Sequence, residues 1–189
     1  MTPPRVDDDV IAACGRGDRD ALRRIFLECK DLVYSVALHH FGGDRAMAAD
    51  ITQDVFLKLA ERIGQYRGEA RFTTWLSRIT VNACLDESRR RKRLVSIEDA
   101  GDVESIPTGR PAPRPDLVRA VASALSGLNE QVRITVLLKY VEDLSYDDIA
   151  DAMGCSRGTV ASRLNRGHAA LARKLSHWKG KLASGGGHV

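Results

Sequence analysis

Apolar residues in this chain recur three and four positions apart from Leu22 to beyond Leu164, and the pattern lapses at length only over residues 94–115. That period puts the apolar side chains along one side of successive helices, whereas a strand needs strict alternation, which no stretch sustains. The expected fold class is therefore all-α. The lapse contains Pro111, Pro113 and Pro115, and each proline removes an amide donor and restricts the residue before it. It reads as a flexible linker. The expected organisation is an N-terminal helical domain over 1–93, a linker over 94–115, a second small helical domain over 116–178 and a disordered glycine-rich tail over 179–189.

A chain of 189 residues can bury real cores, and with 43% hydrophobic but only 5% aromatic residues those cores rest on Leu, Ile, Val and Ala. The formal charge of +4 comes from 29 Lys plus Arg against 25 Asp plus Glu, too balanced for a disordered polyelectrolyte. No apolar run approaches the roughly 18 residues of a membrane span, and Met1 to Arg5 lead straight into Asp7, Asp8 and Asp9. A cytoplasmic protein with no direct membrane insertion is expected. Cys14, Cys29, Cys84 and Cys155 are isolated from one another without a CxxC, so they read as small buried hydrophobes in a reducing compartment. No metal site and no cofactor are expected. His39 and His40 are adjacent, do not face one way on a helix, and read as partly exposed helix residues. The absence of a Walker lysine loop, an HExxH and a dinucleotide glycine fingerprint argues against an enzyme.

In the N-terminal half, a helix starting near Asp18 or Asp20 carries Leu22, Ile25, Phe26, Cys29, Leu32, Val33 and Val36 inward and is broken at Gly42-Gly43-Asp44. A second, from about Asp44 to Ile63, places Ile51, Val55, Leu59 and Ile63 four apart, with Phe56 beside them. Its other side holds Asp50, Gln53, Asp54, Lys58 and Glu61, an acid-rich surface able to meet a basic partner or simply to face water. A polar loop over 64–71 then leads into a helix with Phe72, Trp75, Leu76, Ile79 and Ala83 inward and Arg78, Asn82 and Arg89 on another face. Arginines there can meet phosphates and Asn82 a base edge; Trp75 reads as a core anchor ahead of a stacking platform. The run Arg89 to Arg93 reads as a backbone-binding patch or a solvated helix end.

The C-terminal half carries a sharper signal. A helix from Pro115 through Leu117, Val118, Val121, Ala124 and Leu125 stops at Gly127, and the next, about Asn129 to Val141, buries Val132, Val136, Leu137 and Tyr140. Ser145 and Asp148 have capping-box spacing, Gly154 offers a permissive turn, and Ser156 can cap a last helix with Val160, Leu164, Leu171 and Leu175 inward. Two capped helices across a short glycine turn make a helix-turn-helix, whose second helix enters the major groove. On its outward side Arg157 and Asn165 are assigned to bases, Arg163 and Arg166 to phosphates, and Gly158 and Ala161 to close approach.

With these residues in place, the chain resembles the bacterial extracytoplasmic-function (group 4) sigma factors over about residues 10–178. The resemblance rests on Asp50-Ile51-Thr52-Gln53-Asp54-Val55-Phe56-Leu57-Lys58-Leu59, on 72–86 followed by Arg89-Arg90-Arg91, on 144–150, and on Gly158-Thr159-Val160-Ala161-Ser162-Arg163-Leu164. It implies that Asp50, Gln53, Asp54, Phe56 and Lys58 bind core RNA polymerase. It implies that Tyr66, Arg67, Arg71, Phe72, Trp75, Arg78, Asn82, Arg89, Arg90 and Arg91 recognise and open the minus-ten element, holding a single-stranded base outside the duplex. Arg157, Gly158, Thr159, Ala161, Ser162, Arg163, Asn165 and Arg166 would read the duplex minus-thirty-five element. Ala161 stands where many relatives carry Lys or Arg, so one contact is missing. The resemblance further implies an anti-sigma partner and promoter selection without bond chemistry. The alternative is a stand-alone helix-turn-helix regulator that binds DNA without polymerase.

Overall fold

The computed structural model describes residue 4, residues 6–95 and residues 115–178; most of the expected linker and the expected tail lie outside them. Among the described residues there are eight α-helices, one short 3-10 turn and no strand, as the periodicity requires.

The first helix, α1 (Asp8–Gly15), was not expected. Its Asp8 and Asp9 complement the helix dipole, and Val10, Ile11 and Cys14 are buried. Helix α2 (Arg19–His40) starts where Asp18 accepts from the Asp20 and Ala21 amides at 2.8 and 3.2 Å. It ends before Gly42 and Gly43, both at positive φ. Helix α3 (Arg45–Arg62) is capped by Asp44, which accepts from the Met47 amide at 3.0 Å, and it buries Ile51, Val55 and Leu59. Helix α4 (Phe72–Val95) runs beyond the expected boundary at 93. Ion pairs at i,i+3, Asp86–Arg89 at 2.8 Å and Glu87–Arg90 at 2.7 Å, support that last stretch, and basic residues suit a helix C-terminus.

Helix α5 (Pro115–Ser126) begins at the last residue assigned to the linker, because proline's missing amide and fixed φ suit a first helical position. Helix α6 (Glu130–Tyr140) is capped by Asn129, and α7 (Tyr146–Met153) carries the expected capping box of Ser145 and Asp148. Gly154 is left-handed at φ 58°, and Ser156 caps α8 (Arg157–Lys174) by accepting from the Thr159 amide at 3.1 Å.

Several burial expectations need correction. Cys155, read as a buried hydrophobe, is only half-buried, because it stands in the turn before α8 with its sulfur against Arg163 at 3.6 Å. Phe26 and Tyr140 are exposed, Tyr140 at 63%, because each pairs at the surface: Phe26 edge-on with Phe56 at 4.9 Å, Tyr140 by a 2.7 Å bond between its hydroxyl and His168 Nε2. His40, expected partly exposed, is fully buried. It sits where α2, α4 and α6 meet, with Nε2 3.1 Å from Ser88 Oγ and its carbonyl accepting from Arg133.

Helices α1 to α4 pack on one another, as do α5 to α8, and the halves meet through α4 on α7 and α2 on α5 and α6. The buried residues form one continuous apolar cluster.

Candidate nucleic-acid interface

On α3, Asp50 and Gln53 are exposed and Asp54 is half-buried, joined to Lys58 at 2.7 Å. Phe56, grouped with them by the family resemblance, is 7% exposed and turns toward α2, lining a groove together with Gln53. It floors this groove of about 820 Å³ between α2 and α3, lined also by Leu22, Phe26, Tyr34 and Leu57. Arg19, Arg23 and Lys30 of α2 stand along this groove. The surface is thus an apolar groove with a basic wall and an acidic flank, not the plain acidic face read from α3 alone. Its signal in the sequence was Leu57, an exposed leucine (58%) that helical spacing puts on the same face as Asp50, Gln53, Asp54 and Glu61.

On α4, Arg78, Asn82 and Arg89 are exposed on one face. The basic run is less free than its composition implies. Arg89 and Arg90 are held by Asp86 and Glu87, and Arg91 reaches Asp44 at 3.8 Å. Lys92 pairs with Glu130 of α6 at 3.1 Å. Tyr66, Phe72 and Trp75 form a cluster with ring centroids 5.5 to 5.9 Å apart. Phe72 is its buried base, Trp75 is half-buried, and Tyr66 donates to the Ala70 carbonyl at 2.7 Å. Arg67 and Arg71 are exposed on the same loop. A cavity of about 730 Å³ opens there, lined by Val6, Asp8, Tyr66, Glu69, Arg71 and Phe72. Burial first, and the Asp8 carboxylate second, push the Tyr66 hydroxyl pKa up. Asp8 and Val6 belong to the N-terminal segment that the sequence left unassigned.

The helix-turn-helix presents Arg157, Gly158, Ser162, Asn165 and Arg166 to solvent, while Thr159, Ala161 and Arg163 are half-buried. Thr159 Oγ1 is engaged with the capping Ser156 hydroxyl at 2.9 Å. Arg157 leans toward Asp147 at 3.6 Å, and Arg163 lies across the sulfurs of Met153 and Cys155 at 3.8 and 3.6 Å. Both guanidiniums can be drawn outward by phosphates, since neither holds a close, buried carboxylate.

Behind these faces lie the groups that fix them. Arg133 donates to the carbonyls of Leu125, Ser126 and Leu128 at 2.9, 2.5 and 3.1 Å, closing the α5–α6 turn, and to the His40 carbonyl of α2 at 2.6 Å. Burial, with the nearby Arg133 charge, lowers the His40 pKa to about 4. Burial raises Glu142 to about 7. Burial also pushes the Cys29 and Cys84 thiols up to about 12, which keeps them protonated and unreactive. Among the described residues no helix is long and apolar enough to cross a membrane.

Residues 25–94 match Sigma-70 region 2, and residues 119–171 match Sigma-70, region 4. The RNA polymerase sigma-H factor of Pseudomonas aeruginosa is 31% identical, with 93% of this chain and 96% of the relative covered. The ECF RNA polymerase sigma-E factor of Haemophilus influenzae is 29% identical, over 93% of this chain and 98% of the relative. Among solved structures, the sigma factor RpoE of Bartonella quintana, crystallised in complex with the anti-sigma factor NepR, is similar with a TM-score of 0.71 and 26% identity, over 82% of this chain and 96% of that one.

Proposed function

This chain belongs to the extracytoplasmic-function (group 4) sigma factors of bacterial RNA polymerase, and from that membership we propose how its residues divide the work of starting transcription. The observation that carries the reading is the order of two units on one chain: a region 2 match containing the exposed Arg78–Asn82–Arg89 face, then a region 4 match containing a capped helix-turn-helix. A stand-alone regulator has no use for the first unit, so that alternative is not favoured.

In this reading residues 1–93 form the polymerase and minus-ten domain, 94–115 the linker and 116–178 the minus-thirty-five domain. Asp50, Gln53, Asp54 and Lys58 meet core polymerase along the flank of the α2–α3 groove, with Phe56 holding the groove floor beneath them. Arg78, Asn82 and the Arg89–Arg91 run track the minus-ten strand. Tyr66 and Trp75 offer ring faces to an unpaired base at the mouth of the nearby cavity, buried Phe72 supports them, and Arg67 and Arg71 take its phosphates. Arg157 and Asn165 read base edges in the duplex element, Arg163 and Arg166 bind phosphate, and Gly158, Thr159, Ala161 and Ser162 let the backbone approach. Sigma factors are initiation factors, so the chain itself makes and breaks no covalent bond; its binding energy selects the promoter and stabilises the opened strand. An anti-sigma protein is its inhibitory partner, by analogy with the NepR complex of the similar Bartonella protein. The cytoplasm is its place of action.

The test is run-off transcription from a promoter library by sigma-free bacterial polymerase. Starts that require the chain, and that fall at least tenfold when Asp50 and Asp54 are both changed to alanine, support this reading. Duplex binding by the chain alone with no polymerase-dependent starts would replace it with the stand-alone regulator.

A further inference from the structure

The cavity beside the minus-ten loop has a wall that comes from outside the matched family region. The region 2 match begins at residue 25, whereas Val6 and Asp8 line this cavity together with Tyr66, Glu69, Arg71 and Phe72. Helix α1 is fixed where it stands. Its Val10, Ile11 and Cys14 are buried, and it packs on α2 and on the short 3-10 turn Ile63–Gln65. Asp7, just before it, pairs with Arg24 of α2 at 3.7 Å. The carboxylate of Asp8 is therefore carried into the cavity wall by a packed helix, and groups on packed elements are placed more closely than groups on loops.

The polar groups of this wall are mostly acceptors. A phenol has one proton to give, and Tyr66 gives it to the Ala70 carbonyl at 2.7 Å. Asp8 acts on that same hydroxyl through its charge. Among the described residues, the Asp8 side chain is exposed and has no hydrogen bond or ion pair of its own. Glu69 adds a second carboxylate, on an exposed loop beside Gly68 at φ 74°. Arg71, also exposed, is the cation assigned above to a phosphate.

A wall of this kind discriminates among bases. Cytosine, adenine and guanine each carry an exocyclic amine, which a carboxylate accepts, and a base held outside the duplex shows that edge to its pocket. Thymine carries no such amine and presents carbonyl oxygens, which a carboxylate repels. The same negative charge repels the phosphates of any strand. Asp8 thus weakens indiscriminate binding while it rewards an amine.

We propose that Asp8 is a specificity-determining residue of the base-capture cavity, accepting a hydrogen bond from the exocyclic amine of the unpaired minus-ten base and so selecting an amino-bearing base over thymine. This role rests on base capture by Tyr66 and Trp75, and one experiment separates the two.

The full-length chain on core polymerase is bound, by competition, to promoter fragments already unpaired across the minus-ten element. Each of the four bases stands in turn at each unpaired non-template position. The captured position is the one whose base preference is flattened by Trp75→Ala or, as a second ring variant, Tyr66→Leu, with helix content kept by circular dichroism. There the wild-type chain prefers its best amino-bearing base over thymine by at least about tenfold, the scale of a hydrogen bond to a charged group. The asparagine of Asp8→Asn donates as well as accepts. In that variant the preference falls at least severalfold and in a crossed manner: the amino-bearing fragment binds less tightly than to the wild type, and the thymine fragment more tightly. Asp8→Glu, which keeps the acceptor, keeps a preference for the amine. Asp9→Asn removes the same charge from the same turn of α1 without touching the cavity lining, and it leaves the ratio unchanged. Thymine preferred at the captured position by the wild type, an unchanged ratio in Asp8→Asn, or an equal loss on all four bases in that variant overturns the role of Asp8 and leaves base capture standing. If neither ring variant flattens any position, base capture at this loop falls, and the role of Asp8 falls with it.

Discussion

His40 and Glu142 are buried ionisable residues whose effects on stability oppose each other as pH changes. His40 is held near 4 against an ordinary 6.5, so the folded state resists its protonation; its contribution is whole above about 6.5 and is lost as pH falls toward 4. Glu142 is raised to about 7 from 4.5, so its contribution is whole below about 4.5 and is lost as pH rises through 7. Between about 4.5 and 6.5 the two slopes cancel. Glu142→Gln removes one of them, and its urea midpoint climbs from pH 5 to pH 7 more steeply than that of the wild type. An identical slope in wild type and variant would contradict the burial of a protonated Glu142.

Among the elements, α8 carries two glycines with opposite roles. A Cβ at Gly167 would stand 2.7 Å from Val136 Cγ2 and 3.2 Å from Val132 Cγ1, whereas at Gly158 it would meet only Ser156 Oγ at 3.8 Å. Alanine favours a helix interior over glycine by up to about 1 kcal/mol, but overpacking a core costs about 1–3 kcal/mol. Gly167→Ala therefore destabilises the chain by about 1–2 kcal/mol as α6 is pushed from α8. Gly158→Ala leaves stability unchanged or raises it, while its methyl on the outward face weakens duplex binding. Chemical denaturation of the two variants, with duplex binding for the second, checks both. A stabilised Gly167→Ala would mean that α6 and α8 pack less closely than the valines indicate.

At the scale of the whole molecule, the proposed roles of neighbouring residues separate by salt and by sequence. Arg166 is exposed, with only a 3.4 Å contact to the Ser162 carbonyl, and as a phosphate ligand it releases counterions from any duplex. Arg166→Ala weakens binding to all sequences alike and lowers the slope of log affinity against log salt by about 1. Asn165→Ala leaves that slope in place, costs about 1–3 kcal/mol on the preferred element and relaxes discrimination at one position. Titrations of the full chain against a duplex panel at several salt concentrations distinguish the two; equal losses on every sequence for Asn165→Ala would remove it from base reading.

The all-α class, α2, α3, α4 and the two capped helices of the C-terminal half were legible in the sequence because each rests on local physics: an apolar period, an aspartate or serine at the right cap position, a glycine free to turn left-handed at 154. The family, too, was legible, in short motifs whose order and separation survive without any three-dimensional information. Helix α1 was not, since its few inward residues, Val10, Ile11 and Cys14, are too short a run to establish a period. Nor was the burial of His40, which depends on α4 and α6 arriving from distant parts of the chain, or the exposure of Phe26 and Tyr140, which depends on which helix lies across from them. The groove between α2 and α3, the cavity that brings Asp8 beside Tyr66, and the Thr74–Asp148 bond across 74 residues were decided by tertiary structure alone. A pattern in sequence fixes which face of an element turns inward; which other element meets it is set by packing the whole chain at once.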